Sequence, residues 1–90
     1  MSRRKRYAVV EEQGIRFVFA YDDSAPEMLH IWARHLTRPG DAIATWFNGQ
    51  THWNPHYRRF ETATDTHVVY WFWLEETKAI MIVTCYRLEG

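Results

Sequence analysis

Short apolar runs separated by polar, turn-forming clusters set the rhythm of this chain. Tyr7 to Val10 and Ile15 to Tyr21 read as two strands joined by a tight turn around Glu12-Gln13-Gly14. In the second, Ile15, Phe17, Phe19 and Tyr21 fall on one face, the period of two expected of a half-buried strand. The period then changes. Ser24-Ala25-Pro26-Glu27 has the spacing of a capping box, so the pattern predicts a helix from Ser24 to about Leu36. Its apolar stripe is Met28, Leu29, Trp32, Ala33 and Leu36, flanked by Ile31 and His35, with His30 and Arg34 on the solvated side. Pro39 disfavours helix in the residue before it, and Asp41 reads as a fresh N-cap. Ala42 to Phe47 is then a second short helix, closed by Asn48-Gly49 as a left-handed stop.

The remainder reads as sheet. Gln50 to Asn54 is a short strand ended by Asn54-Pro55, and Tyr57 to Glu61 is a second, followed by a turn near Thr64-Asp65. Thr66 to Leu74 and Ala79 to Tyr86 are apolar nearly throughout and are joined by a turn at Glu75-Glu76-Thr77. Strands without alternation are usually central and covered on both faces. The expected fold is α+β: an N-terminal β-hairpin, two helices, then a three- to four-stranded antiparallel sheet. Ninety residues make one domain, 1–90, with 1–6 as a flexible basic arm.

Composition narrows the function classes. Eleven basic and eleven acidic residues give zero formal net charge, which argues against a chain held to nucleic acid by its overall field. Contact with RNA has to be local, and Arg4 and Lys5 in the N-terminal basic run are candidates for it. Cys85 is the sole cysteine, so no intrachain disulfide forms and a reducing, cytoplasmic setting is expected. Its apolar surroundings suit a buried thiol better than a nucleophile. The N-terminal charges are not followed by a signal-peptide core, and no apolar run approaches the ~20 residues of a membrane helix.

Five histidines carry the candidate chemistry. His30 and His35 lie on the first helix, whereas His52, His56 and His67 accompany Arg58, Arg59 and Glu61. His52 and His56 have a spacing that a zinc site uses on a helix. Pro55 breaks such a helix and no cysteine is near, so neither a metal nor another cofactor is expected. On a strand, Arg59 shares a face with Glu61, and Arg58 shares one with Phe60. An arginine and a glutamate so placed make either a surface ion pair or a catalytic carboxylate beside a phosphate-binding guanidinium. Metal-free RNA cleavage needs a base for the 2′-hydroxyl, an acid for the 5′-oxygen and positive charge at the phosphorane. His35, His56, Arg59, Glu61, His67 and Tyr86 supply those groups if the sheet brings them together. Arg58, Trp53 and Tyr57 are candidates for holding the RNA, the two aromatics by stacking a base. Trp53, Tyr57 and Tyr86 serve equally to complete a small core.

The segment His30-Ile31-Trp32-Ala33-Arg34-His35-Leu36-Thr37-Arg38-Pro39-Gly40-Asp41-Ala42 resembles the helical opening of BrnT-type toxins. The following order is also similar: a strand with arginine, an aromatic- and Val-rich strand, then an Ile-rich last strand. The resemblance spans roughly residues 28 to 88 and implies a RelE-like fold, metal-independent ribonuclease activity and inhibition by a cognate antitoxin. It matches Arg58 or Arg59, with Glu61, to the family's strand arginine and acidic residue, and His35 to its helix histidine. Two other readings compete. One is a non-enzymatic phage or mobile-element protein that binds a host protein through its aromatic-rich surface, which zero net charge and the acidic turns favour. The other is an immunity- or antitoxin-type partner that keeps the fold without catalysis.

Overall fold

The structure is a computed structural model that describes residues 6–89. It is α+β. Strands β1 (Tyr7–Glu12), β2 (Ile15–Ala20), β3 (Gln50–Asn54), β4 (Arg59–Ala63), β5 (His67–Leu74) and β6 (Ala79–Arg87) form one mixed sheet in the order β1-β2-β6-β5-β4-β3. Helices α1 (His30–His35) and α2 (Pro39–Asn48) connect β2 to β3. The N-terminal hairpin is therefore no separate layer. The last strand returns to lie beside β2, and that pair alone is parallel, the remaining neighbours being antiparallel. A long helical crossover permits a parallel pair where a hairpin cannot.

Helix α2 packs on one face of the sheet, and Ile31 of α1 joins the same core. Phe17 and Phe19 of β2, Val69 and Trp71 of β5, and Ile80, Ile82 and Cys85 of β6 meet Ile31 of α1 and Ala42 and Ile43 of α2. The other, more open face is bordered by α1, whose His30 and Arg34 line a groove with Phe72, Met81 and Val83, so the expectation that β5 and β6 are covered twice holds only in part. They are central in the sheet, yet Phe72 is 38% exposed. The unbroken apolar pattern of β6 has a different cause. The register steps from Tyr70↔Thr84 to Trp71↔Ile82, so Val83 is a bulge. The bulge shifts the phase of the strand. Ile80, Ile82 and Cys85 then all face the helices, while Thr84 and Tyr86 turn to the open side.

The helices depart from the sequence reading at both starts. Ser24 caps nothing. The buried carboxylate of Asp22 instead accepts the backbone N–H groups of Ser24 and Ala25, each at 3.0 Å, and holds the connection as turns until His30. The same carboxylate reaches His30 and Arg34, which draws that face of α1 down to the sheet. As a result Ile31 is buried, and the expected stripe residues Met28, Trp32 and Leu36 are 47%, 36% and 72% exposed. Leu36 ends α1 in the left-handed region at φ 53°. Buried Thr37 then donates through Oγ1 to the Cys85 carbonyl at 2.8 Å, tying the helix junction to β6.

The second helix begins at Pro39 rather than Ala42. Proline at N1 sacrifices only an N–H with no intrahelical partner, and Asp41 reaches back to accept the Arg38 N–H at 2.9 Å. Gly49 ends it with φ −86°, not as a left-handed stop. A Cβ there would lie 2.7 Å from the Ala63 carbonyl oxygen and 2.8 Å from that of Thr45, so glycine lets α2 close down on β4. Strand β4 starts two residues later than expected, because Asn54 Oδ1 accepts from the His56 and Tyr57 N–H groups and holds both in the turn. Arg58 follows in the same turn, at φ 54°. No helix of the described residues is long and apolar enough to cross a membrane.

Candidate active site

Pairing and alternation place a row of polar side chains across the open face. Glu61 of β4 lies opposite His52 of β3 on one side and Tyr70 of β5 on the other. Residues directly opposite on an antiparallel pair share a face. His52 Nε2 lies 3.0 Å from one Glu61 carboxylate oxygen, and Asn54 Nδ2 donates to the other at 3.4 Å. The Glu61 side chain is 19% exposed and that of His52 62%. The carboxylate is thus held within the sheet surface and the imidazole stands in solvent. Tyr70 stacks with Tyr86 of β6 at 6.1 Å between ring centroids, and Tyr86 lies 5.9 Å from the His35 ring of α1. Tyr86 beside it, then burial, then the Glu61 carboxylate push the Tyr70 phenol above its ordinary range. It stays a protonated donor.

The row continues from His35 to His30, 6.4 Å away, and to Asp22. His30 Nδ1 sits 3.2 Å from Asp22 Oδ1, and Arg34 Nε donates to the same oxygen at 3.0 Å. Burial raises the Asp22 pKa, but Arg34, His30 and the two backbone donors outweigh it and hold the carboxyl below its usual value. The site is open at both ends of this helix edge. A cleft of about 480 Å³ lies beside His35 and Tyr86, and a groove of about 890 Å³ runs past His30 and Arg34 over Phe72, Met81 and Val83.

The residues singled out from sequence divide. Glu61, Tyr86 and His35 join the row. Arg59 alternates onto the face of Glu61, with Nε donating to the Tyr57 carbonyl at 3.0 Å. Arg58 is an exposed turn residue, which separates the two arginines. His56 meets Tyr57 at 4.6 Å, and Tyr57 meets Tyr70 at 6.1 Å, so both sit at the margin of the row. His67 shares the parity of Val69 and Trp71, which places it on the helix side, with Nδ1 2.9 Å from Thr66 Oγ1. Trp53 also turns that way, edge-on to Phe60 at 5.0 Å. Arg4 and Lys5 lie outside the described residues. Cys85 is fully buried, and burial pushes its thiol up to about 11.

Four contributors were not singled out from sequence. His52 counts among the histidines near Arg58, Arg59 and Glu61, with no role beyond its spacing to His56. Asn54 read as a strand breaker and Asp22 as a turn acid. Tyr70 was hidden in an apolar run, where its lone hydroxyl was the available signal. Among the described residues, no three His, Cys, Asp or Glu side chains gather as metal ligands. No family model, curated protein or solved structure matches the chain.

Proposed function

We propose that this chain is a RelE/BrnT-like endoribonuclease of the toxin–antitoxin type, cleaving RNA on the open face by acid–base chemistry without a metal. The observation that carries the reading is Glu61, held by His52 and Asn54, beside Tyr70 on the face opposite α2, with Tyr86 and His35 beyond. Neighbouring strands lie about 4.8 Å apart, so groups on β4 and β6 flank a phosphate seated at Tyr70 from about 10 Å apart. Glu61 takes the proton of the 2′-hydroxyl as that oxygen attacks phosphorus. The 5′-oxygen leaves with a proton from His35 or Tyr86, giving a 2′,3′-cyclic phosphate and a 5′-hydroxyl end. Tyr70, kept protonated, and Arg59 supply hydrogen bonds and positive charge to the phosphorane.

Tyr57 and His56 offer aromatic surface for a neighbouring base, and a cognate antitoxin would act by covering this face in the cytoplasm. One observation favours a non-enzymatic protein-binding role instead. Tyr7, Val9 and Phe72 are 47%, 60% and 38% exposed and lie on the same open face, a patch suited to a partner. Incubation of the purified protein with total RNA, with and without EDTA, decides between them. Cleavage that survives EDTA and leaves cyclic phosphate ends supports the nuclease. Intact RNA at high protein concentration, with capture of a protein partner, supports the binding role.

A further inference from the structure

We infer that two copies of this chain pair through the free edge of β1, antiparallel and centred on Val9. The inference goes beyond the proposed activity and does not depend on it. It begins with the ladder. The Tyr21 N–H donates to the Arg6 carbonyl at 3.3 Å, which makes Arg6 and Tyr21 a hydrogen-bonded pair of the β1–β2 hairpin. Such pairs alternate along an antiparallel ladder. Ala8, Val10 and Glu12 are therefore spent on β2, while the backbone N–H and C=O groups of Tyr7, Val9 and Glu11 point away from the sheet. β1 is the terminal strand of the order, so among the described residues these groups form an unpaired template for another strand.

The occupant is set by the charge along that strand. Exposed Arg6 stands at one end and exposed Glu12 at the other, with exposed Val9 midway between them. An antiparallel second copy with Val9 against Val9 brings Arg6 of each opposite Glu12 of the other. Tyr7 then faces Glu11 in a hydrogen-bonded pair, and Ala8 faces Val10, apolar on apolar. All three outward residues find partners, for about six intersubunit hydrogen bonds. Moving the centre to Glu11 sets like charges together, and moving it to Tyr7 leaves Arg6 opposite Ala8. Among registers built from the described residues, the one centred on Val9 satisfies both backbone and charge. Its two-fold axis runs perpendicular to the sheet and keeps both open faces on the same side.

Sedimentation velocity across a concentration series tests this on the full chain. The expected species is twice the 10.9 kDa chain mass, dissociating on dilution. Val9→Pro removes an outward N–H without touching the β1–β2 ladder, a place where an edge strand tolerates proline. It should give monomer with an unchanged circular-dichroism spectrum. Glu12→Arg should weaken the dimer about ten-fold, through two symmetric ion pairs turned repulsive. Adding Arg6→Glu to that variant should restore it. If Val9→Pro fails to fold, the charge swap decides alone. A chain that stays monomeric at high concentration, or a dimer indifferent to the charge swap, overturns the proposal.

Discussion

Replacing Gly49 by alanine adds one methyl group at the hinge between α2 and β3. That methyl carbon would stand 2.7 Å from the Ala63 carbonyl oxygen, 2.8 Å from that of Thr45 and 2.8 Å from Thr62 Cγ2. Two of the three are backbone atoms, one in β4 and one in α2, and Thr62 is fully buried, so no flexible side chain can yield. Overpacking of this kind costs about 1–3 kcal/mol, and three simultaneous clashes put Gly49→Ala near 2–3 kcal/mol. Gly40, inside the first turn of α2, supplies the contrast. Nothing lies within 4 Å of a Cβ there, and Gly40→Ala should stabilise by about 0.4–1 kcal/mol through the unfolded chain. With a urea slope of about 1 kcal/mol per molar for a small domain, the first midpoint falls by about 2–3 M and the second rises by about 0.4–1 M. Urea unfolding followed by tryptophan fluorescence reads both. Midpoints that move in the same direction, or a Gly49→Ala midpoint within about 0.3 M of wild type, refute the close approach of α2 to β4. That approach also sets β3, and with it His52, against Glu61.

Thr62 is fully buried beneath β4, where its Oγ1 accepts the Trp71 Nε1–H at 2.8 Å and lies 2.7 Å from Thr51 Oγ1. Thr62→Val keeps the shape and strands the indole donor, which should cost about 1–3 kcal/mol in the same urea assay, whereas Thr62→Ser keeps the bond and should cost less. Asp22 gives a pH signature. Its folded pKa lies below the unfolded value, so its stabilisation is present above the unfolded pKa and is lost as pH falls through the folded one. Asp22→Asn should therefore lower stability at neutral pH and flatten the acid limb; a wild-type-like acid limb contradicts the assignment. Cys85 should react with iodoacetamide only as the chain unfolds, because its buried thiol stays protonated until about pH 11. Labelling of the native protein at neutral pH would contradict its burial.

Strand positions were legible because β2 shows a period of two and β5 and β6 are apolar runs bounded by turn residues, and β1, β2, β3, β5 and β6 fall within a residue or two of the sequence reading. The Gln13-Gly14 turn was equally plain, with φ of 51° and 77° fitting a two-residue hairpin. What escaped the sequence was long-range. Nothing local says that β6 returns to β2, because that pairing joins segments some sixty residues apart. Nor does the local pattern separate a doubly covered strand from a bulged one, and the bulge at Val83 decides which way Tyr86 faces. The α1 start was misplaced for a similar reason. Ser24 and Glu27 have the right spacing for a cap, but Asp22, buried against Arg34 and His30, captures the Ser24 N–H first. At the candidate site, the shared face of Arg59 and Glu61 followed from alternation alone. The partnership of Glu61 with His52 and Tyr70 needed the strand register.

In the proposed reaction Glu61 takes the 2′-hydroxyl proton. Its most direct test is single-turnover cleavage of an end-labelled RNA in EDTA by wild type and by Glu61→Gln, an isosteric change on a partly exposed side chain. Loss of a general base should slow cleavage by about 10²–10⁴-fold while urea stability stays close to wild type. Equal rates for the two proteins would contradict the account and move any activity away from the open face.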